Sequence, residues 1–299
     1  MNFLHILFLV FLPVFVSSCR GDASAAELEE RNVGVLLVSH GSHSPRWRAQ
    51  LKELERSVSE QVLADPRIDG IRTAYMEYTE PSIATQLKAF DAEGFDEVLV
   101  VPILLTVSSH SFDDIPTIIG MKRDVATEAT LASEGIECYT PTSKVRIAPL
   151  LDFAEVMGEN LNRRVSALSR SAADEGVVLV AYGSTPFDEE WTLFMEQMSE
   201  KLRDQAGIES VEFAWCGHIV SYSPEPTAQA IERVLATKDR ALIIPVLVAV
   251  DEDFQLGMIQ VAADRKYEGG EVSYIPDSIL PEPYVEAWVE RVALEMVAK

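Results

Sequence analysis

The sequence predicts an α/β protein made of two tandem doubly wound parallel-sheet domains facing a central cleft. Three observations carry this. Short runs of β-branched and aliphatic residues alternate with segments whose apolar residues recur at helical spacing. Several motifs recur in the same order in both halves of the chain. The residues that follow the apolar runs are histidines and acids, which in a parallel sheet would gather at one edge, where open α/β sheets bind ligands.

Val33-Gly34-Val35-Leu36-Leu37-Val38-Ser39 reads as a buried strand that turns at His40-Gly41-Ser42. Trp47, Leu51, Leu54, Val58 and Val62 then step by three and four residues and line one helix face. Ile71-Arg72-Thr73-Ala74-Tyr75-Met76 alternates as a strand and ends at Glu77. Glu80-Pro81-Ser82 starts a helix carrying Ile83, Leu87 and Phe90, and Gly94 stops it. Val98 to Leu105 forms a third strand leading through Thr106 to His110.

In the second half, Tyr182-Gly183-Ser184 with Trp191 answers His40-Gly41-Ser42 with Trp47. Ile244-Pro245-Val246-Leu247 answers Val101-Pro102-Ile103-Leu104, and Glu225-Pro226 answers Glu80-Pro81. Tyr274-Ile275-Pro276 answers Tyr139-Thr140-Pro141. The ordered matches imply a tandem duplication. The organisation expected is a signal peptide at 1–18, a tether at 19–32, a first domain at 33–172 carrying the histidines, and a second at 173–299 lacking them.

The chain has 299 residues, 47% of them hydrophobic, enough for two cores. Its formal charge of −23 opposes polyanions and argues against a nucleic-acid partner. Residues 1 to 18 lack Asp, Glu, Lys and Arg, and Phe3 to Val16 is almost wholly apolar but short for a membrane span. Val16-Ser17-Ser18-Cys19 resembles a bacterial lipobox, in which Cys19 would be lipidated and anchor the protein to the periplasmic side of the cell envelope. A plain cleaved signal and an uncleaved anchor fit the same composition. Cys138 and Cys216 are expected as a buried thiol pair, with a disulfide as the alternative in an oxidising compartment.

Two imidazoles and a carboxylate at one sheet edge suit a borderline divalent ion such as cobalt, nickel or ferrous iron, rather than magnesium or calcium. The order Ser39-His40-Gly41-Ser42, Tyr75-Met76-Glu77-Tyr78-Thr79-Glu80-Pro81-Ser82-Ile83, Val101-Pro102-Ile103-Leu104-Leu105 and His110-Ser111-Phe112-Asp113-Asp114-Ile115-Pro116 resembles the class II chelatases, in the branch of sirohydrochlorin cobaltochelatases and ferrochelatases. The resemblance implies insertion of a divalent metal, cobalt first and iron or nickel next, into a sirohydrochlorin-type tetrapyrrole, with no ATP and no organic cofactor. It also implies metal and catalytic roles for His40, His110 and Glu77.

Arg46, Arg48 and Ser42 are candidates to bind the substrate's carboxylates, with Lys122 and Arg123 as further basic candidates. Glu80 reads as a helix-start residue, and His43 as a loop histidine. His218 stands in the second half after the strand matching the one that ends at Glu77. Asp251-Glu252-Asp253 fills the region matching His110, either as a cation relay or as a solvated acidic face. The alternative function is an envelope lipoprotein that binds and hands on metal or metallated tetrapyrrole without catalysis. Oligomeric state is left open.

Overall fold

The structure, a computed structural model, describes residues 32–105, 108–151, 153–217 and 223–299. The expected signal segment, tether and Cys19 lie outside the described residues, as does His218. Among the described residues no helix is long and apolar enough to cross a membrane.

The first sheet is parallel in the order β2-β1-β3-β4, with β1 Val33–Ser39, β2 Ile68–Tyr75, β3 Glu97–Pro102 and β4 Lys144–Ile147. The second repeats that order as β6-β5-β7-β8, with β5 Glu175–Ala181, β6 Ser210–Trp215, β7 Arg240–Val246 and β8 Glu271–Tyr274. Each inner strand pair, β1 with β3 and β5 with β7, is buried along its length, as a sheet covered on both faces requires.

The helices of the first half are α1 Pro45–Val62, α2 Ile83–Glu93, α3 Ile115–Ile118, α4 Val125–Ser133 and α5 Phe153–Leu168. Those of the second are α6 Asp188–Ala206, α7 Glu225–Leu235, α8 Glu252–Phe254, α9 Val261–Ala263 and α10 Pro283–Val297. The expected helix signals appear at their places. Ser44 caps α1 by accepting from the Trp47 N–H, and Trp47, Leu51, Leu54, Val58 and Val62 are its buried face. Ser82 caps α2, which ends at Gly94 with φ 81°, a left-handed turn that glycine takes without strain.

One match between the halves does not carry into the fold. Tyr139 precedes β4 and its hydroxyl donates to Asp91, whereas Tyr274 closes β8 and its hydroxyl donates to the Gln255 carbonyl. A Tyr-x-Pro triplet is too short to fix a register by itself.

The described residues from 32 onward belong to one compact unit. Its central core takes one face of both sheets, including Val35, Leu37, Leu99, Leu179 and Leu242, while each outer face has a separate cluster. The last helix of each half crosses to the other. Helix α10 packs on α1 and β3, and α5 packs on α6 and β7. Arg164 of α5 donates to the Pro245 carbonyl at 2.7 Å, and Asn160 donates to the Ile279 carbonyl and to the fully buried Glu282. This exchange welds the halves by shared apolar burial, worth about 1.5–3 kcal/mol for each large side chain such as Trp288, Val289 or Met157.

Candidate metal centre

The ladder between β1 and β2 continues past the strand ends. The Met76 N–H donates to the Ser39 carbonyl at 2.9 Å and the Glu77 N–H to the His40 carbonyl at 2.8 Å, so His40 and Glu77 leave adjacent strands side by side. Gly41 makes this possible. At φ 107° a Cβ there would fall 2.1 Å from the Glu77 carbonyl oxygen. The third member arrives from the segment after β3, where His110 begins a π-helical turn, His110–Asp114, of the wider kind that recurs at functional sites.

His40, Glu77 and His110 each offer a ligand atom, and these atoms all lie within 4.8 Å of one another. The two imidazole rings sit 4.8 Å apart, edge to face. Each ring has one nitrogen already engaged. His40 Nδ1 donates to the Gly41 carbonyl at 3.1 Å, and His110 Nδ1 donates to Asp114 at 2.7 Å. Since a carbonyl and a carboxylate can only accept, each Nδ1 is the donor, which leaves Nε2 as the nitrogen that could take a metal. Burial and the neighbouring His110 push the pKa of His40 below its ordinary value, with Glu77 and Asp114 opposing in part. His40 is therefore neutral at neutral pH. The local field is acidic: burial, Glu77 and Asp114 together raise the pKa of Glu134.

The pair opens onto a cleft between the halves, about 130 Å³ in its enclosed part, walled by Trp47, Leu104 and Leu105 on one side and Tyr182, Trp191 and Leu247 on the other.

The structure brings His40, Glu77 and His110 together and leaves the expected carboxylate clamp apart. Ser42 is buried and its hydroxyl donates to Asp251 at 2.5 Å. Arg48 folds back, its Nη1 donating to the Ser42 and His43 carbonyls at 2.8 Å each. Neither lines the cleft, because both are spent on holding the loop after His40. Arg46 is exposed on the first turn of α1, also away from the lining. Lys122 is paired with Asp113.

Glu80 accepts from the Ser82 N–H at the start of α2, as expected. His43 is exposed and lies 5.0 Å from Tyr78 at a tilt, outside the candidate ligand group. The segment Asp251-Glu252-Asp253 is no solvated face: Asp251 is buried, caps α8 and holds Ser42. The cysteines are not a buried pair. Both are free; Cys216 is buried, which pushes its thiol up to about 12, and Cys138 is exposed.

Asp114 and the cleft wall of Tyr182 and Trp191 join the site only in the structure. Asp114 had a signal in its place four residues after His110. The wall had one only in the repeat that pairs Trp191 with Trp47.

Two parallel sheets with helices on both faces, and a His-Glu-His group at the carboxyl edge of one beside an apolar cleft, define a metal-handling α/β protein of the chelatase class. The CbiX family profile matches residues 34–168. The sirohydrochlorin cobaltochelatase of Saccharolobus solfataricus is 31% identical over 134 residues, covering 45% of this chain and 94% of that protein. Among solved structures, the sirohydrochlorin chelatase SirB of Bacillus subtilis subspecies spizizenii in complex with cobalt shares the fold with a TM-score of 0.60 at 18% identity, over 88% of this chain and 94% of the other. DR2241 of Deinococcus radiodurans shares it at 0.56 and 17%, over 88% and 55%. The chain belongs to the CbiX family and is an ATP-independent class II chelatase.

Proposed function

We propose that the protein inserts a divalent metal, cobalt first and ferrous iron or nickel next, into a sirohydrochlorin-type tetrapyrrole. The observation that carries this reading is the convergence of His40, Glu77 and His110 at the cleft, each imidazole with its Nδ1 occupied. The names of the relatives, sirohydrochlorin cobaltochelatase and sirohydrochlorin chelatase, support the choice of substrate.

His40 and His110 hold the metal through Nε2, and Glu77 is the third ligand. Insertion exchanges one dication for two pyrrole protons. As the ring nitrogens take the metal, the imidazole and carboxylate groups it leaves are free to accept those protons within the same few ångströms. The aromatic walls at Trp47, Tyr182 and Trp191 grip the macrocycle. Arg46, free of the loop contacts that occupy Arg48, is the basic group nearest in sequence for a peripheral carboxylate.

The apolar start of the sequence and Cys19 support an exported protein, lipid-anchored to the bacterial cell envelope. The like strand orders of the two sheets support an origin by duplication.

The test is turnover. The full chain mixed with sirohydrochlorin and Co2+ should convert many equivalents of macrocycle, followed by its absorption spectrum, with Fe2+ and Ni2+ run in parallel. Binding that stops at one equivalent would refute catalysis.

A further inference from the structure

We propose that Asp251, supplied by the second half of the chain, is a positioning residue for His40 and acts through Ser42. The proposal rests on the reading of His40 as a metal ligand.

The Nδ1 proton of His40 is held by the Gly41 carbonyl. That carbonyl belongs to the Gly41–Ser42 peptide, so the plane of one peptide sets which imidazole nitrogen is free and where it points. Gly41, at φ 107°, has no side chain to restrain that plane. The peptides beyond Ser42 are fixed locally, because Arg48 donates to the Ser42 and His43 carbonyls. The Gly41–Ser42 peptide is held from across the cleft, where the Ser42 hydroxyl donates to Asp251 Oδ2 at 2.5 Å while accepting from the Ser44 N–H at 2.9 Å.

Asp251 is itself braced. Its Oδ1 accepts from the Asp253 N–H, and its own N–H donates to Gln255 at 2.7 Å. Gln255 is fully buried and donates onward to the Asp277 carbonyl at 3.0 Å. A buried relay of this kind leaves little play, since each unmade bond would strand a desolvated polar group. The line of contacts runs from the second half to the Nδ1 of His40, and Asp251 is the only member that lines the cleft besides His40 and Gly41.

The neighbouring contact supplies a control. Glu252 accepts from the Ser44 hydroxyl across the same junction, but Ser44 caps α1 and lies beyond the peptide in question. If Asp251 merely joined the halves, the two acids would behave alike.

The experiment is a Co2+ titration of the full chain, read by the visible absorption of the bound ion, with thermal unfolding measured beside it. D251A and S42A should each weaken Co2+ binding about tenfold, in the range for loss of a group that orients a ligand. The double variant should be no worse than either, since both break one path. D251N should stay close to the parent, because a serine hydroxyl bonds an amide as well as a carboxylate. E252A should lower Tm and leave Co2+ affinity unchanged.

Parental affinity in D251A and S42A would overturn the proposal, as would additive losses in the double variant or an equal loss in E252A. Should D251A fail to fold, S42A removes the same bond with a smaller change and decides alone. H40A separates the two layers. If H40A loses Co2+ while S42A keeps it, only the positioning role falls; if H40A binds as the parent does, the ligand reading falls and this proposal with it.

Discussion

In the first half, His40 follows β1 and meets His110 ring to ring at 4.8 Å; in the second, Tyr182 follows β5 and meets Phe254 at 4.4 Å. The backbones around these pairs correspond. The Glu77 and Met76 amides continue the first ladder and the Cys216 amide continues the second by donating to Ala181. Gly41 and Gly183 both turn with positive φ. A π-helical turn follows the third strand in each half, His110–Asp114 in one and Gln255–Gln260 in the other. The side chains diverge: two imidazoles and a carboxylate in one half, a phenol, a phenyl ring and Gly217 in the other. The same scaffold therefore makes a candidate ligand set or an apolar contact according to three residues. The second half contributes instead a cleft wall and the acid that reaches back to Ser42.

The comparison breaks most sharply at the ring pairs. H40A or H110A should reduce metal insertion about a hundredfold or more, the scale of losing a group that handles metal and protons. F254L, in the ring pair of the second half, should cost about 1 kcal/mol of stability as a near volume-conserving core change and leave turnover unaltered. A loss of turnover in F254L equal to that in H110A would mean that the second pair also does chemistry.

The pH dependence of stability sharpens it further. His40 is neutral in the fold because its pKa is lowered by burial and His110, whereas in the unfolded chain it protonates near pH 6.5. As pH falls below that value the unfolded state gains a proton that the folded state refuses. Stability then drops, by up to about 1.4 kcal/mol per pH unit for one group, until the lower folded pKa is reached. Urea unfolding between pH 7 and 5 should show a shallower acid slope in H40F than in the parent. An unchanged slope would place the acid sensitivity elsewhere.

The smallest expected effect is a null result. Y182H/F254H restores the imidazoles to the second half but not the carboxylate, since Gly217 holds φ 142°, a backbone that side-chain-bearing residues rarely adopt. Co2+ stoichiometry should remain one per chain by equilibrium dialysis. A second equivalent would show that two imidazoles suffice on this scaffold.

Much of this was legible in the residues. The strand runs, the Ser44 and Ser82 caps, the Gly94 stop and the five buried positions of α1 follow from local periodicity and turn chemistry, which act over a few residues at a time. His40, Glu77 and His110 could be named because parallel strands deliver their ends to one edge. Ser42 and Arg48 brace the loop after His40; a polar residue near a site can bind substrate or hold the loop, and spacing does not distinguish these. The run Asp251-Glu252-Asp253 fits a cation relay or a solvated face equally by sequence, because the Ser42 that Asp251 holds lies in the other half.

The sequence by itself determined the kinds of element, their order and the three candidate ligand residues at the ends of the first-half strands, all of which depend on local steric and solvation preferences. Only the tertiary structure decided that α5 and α10 cross between halves, that Nδ1 of each histidine is occupied, and that an acid of the second half holds the loop of the first. Those outcomes depend on contacts between residues far apart in the chain, whose partners are chosen by the packing of the whole core.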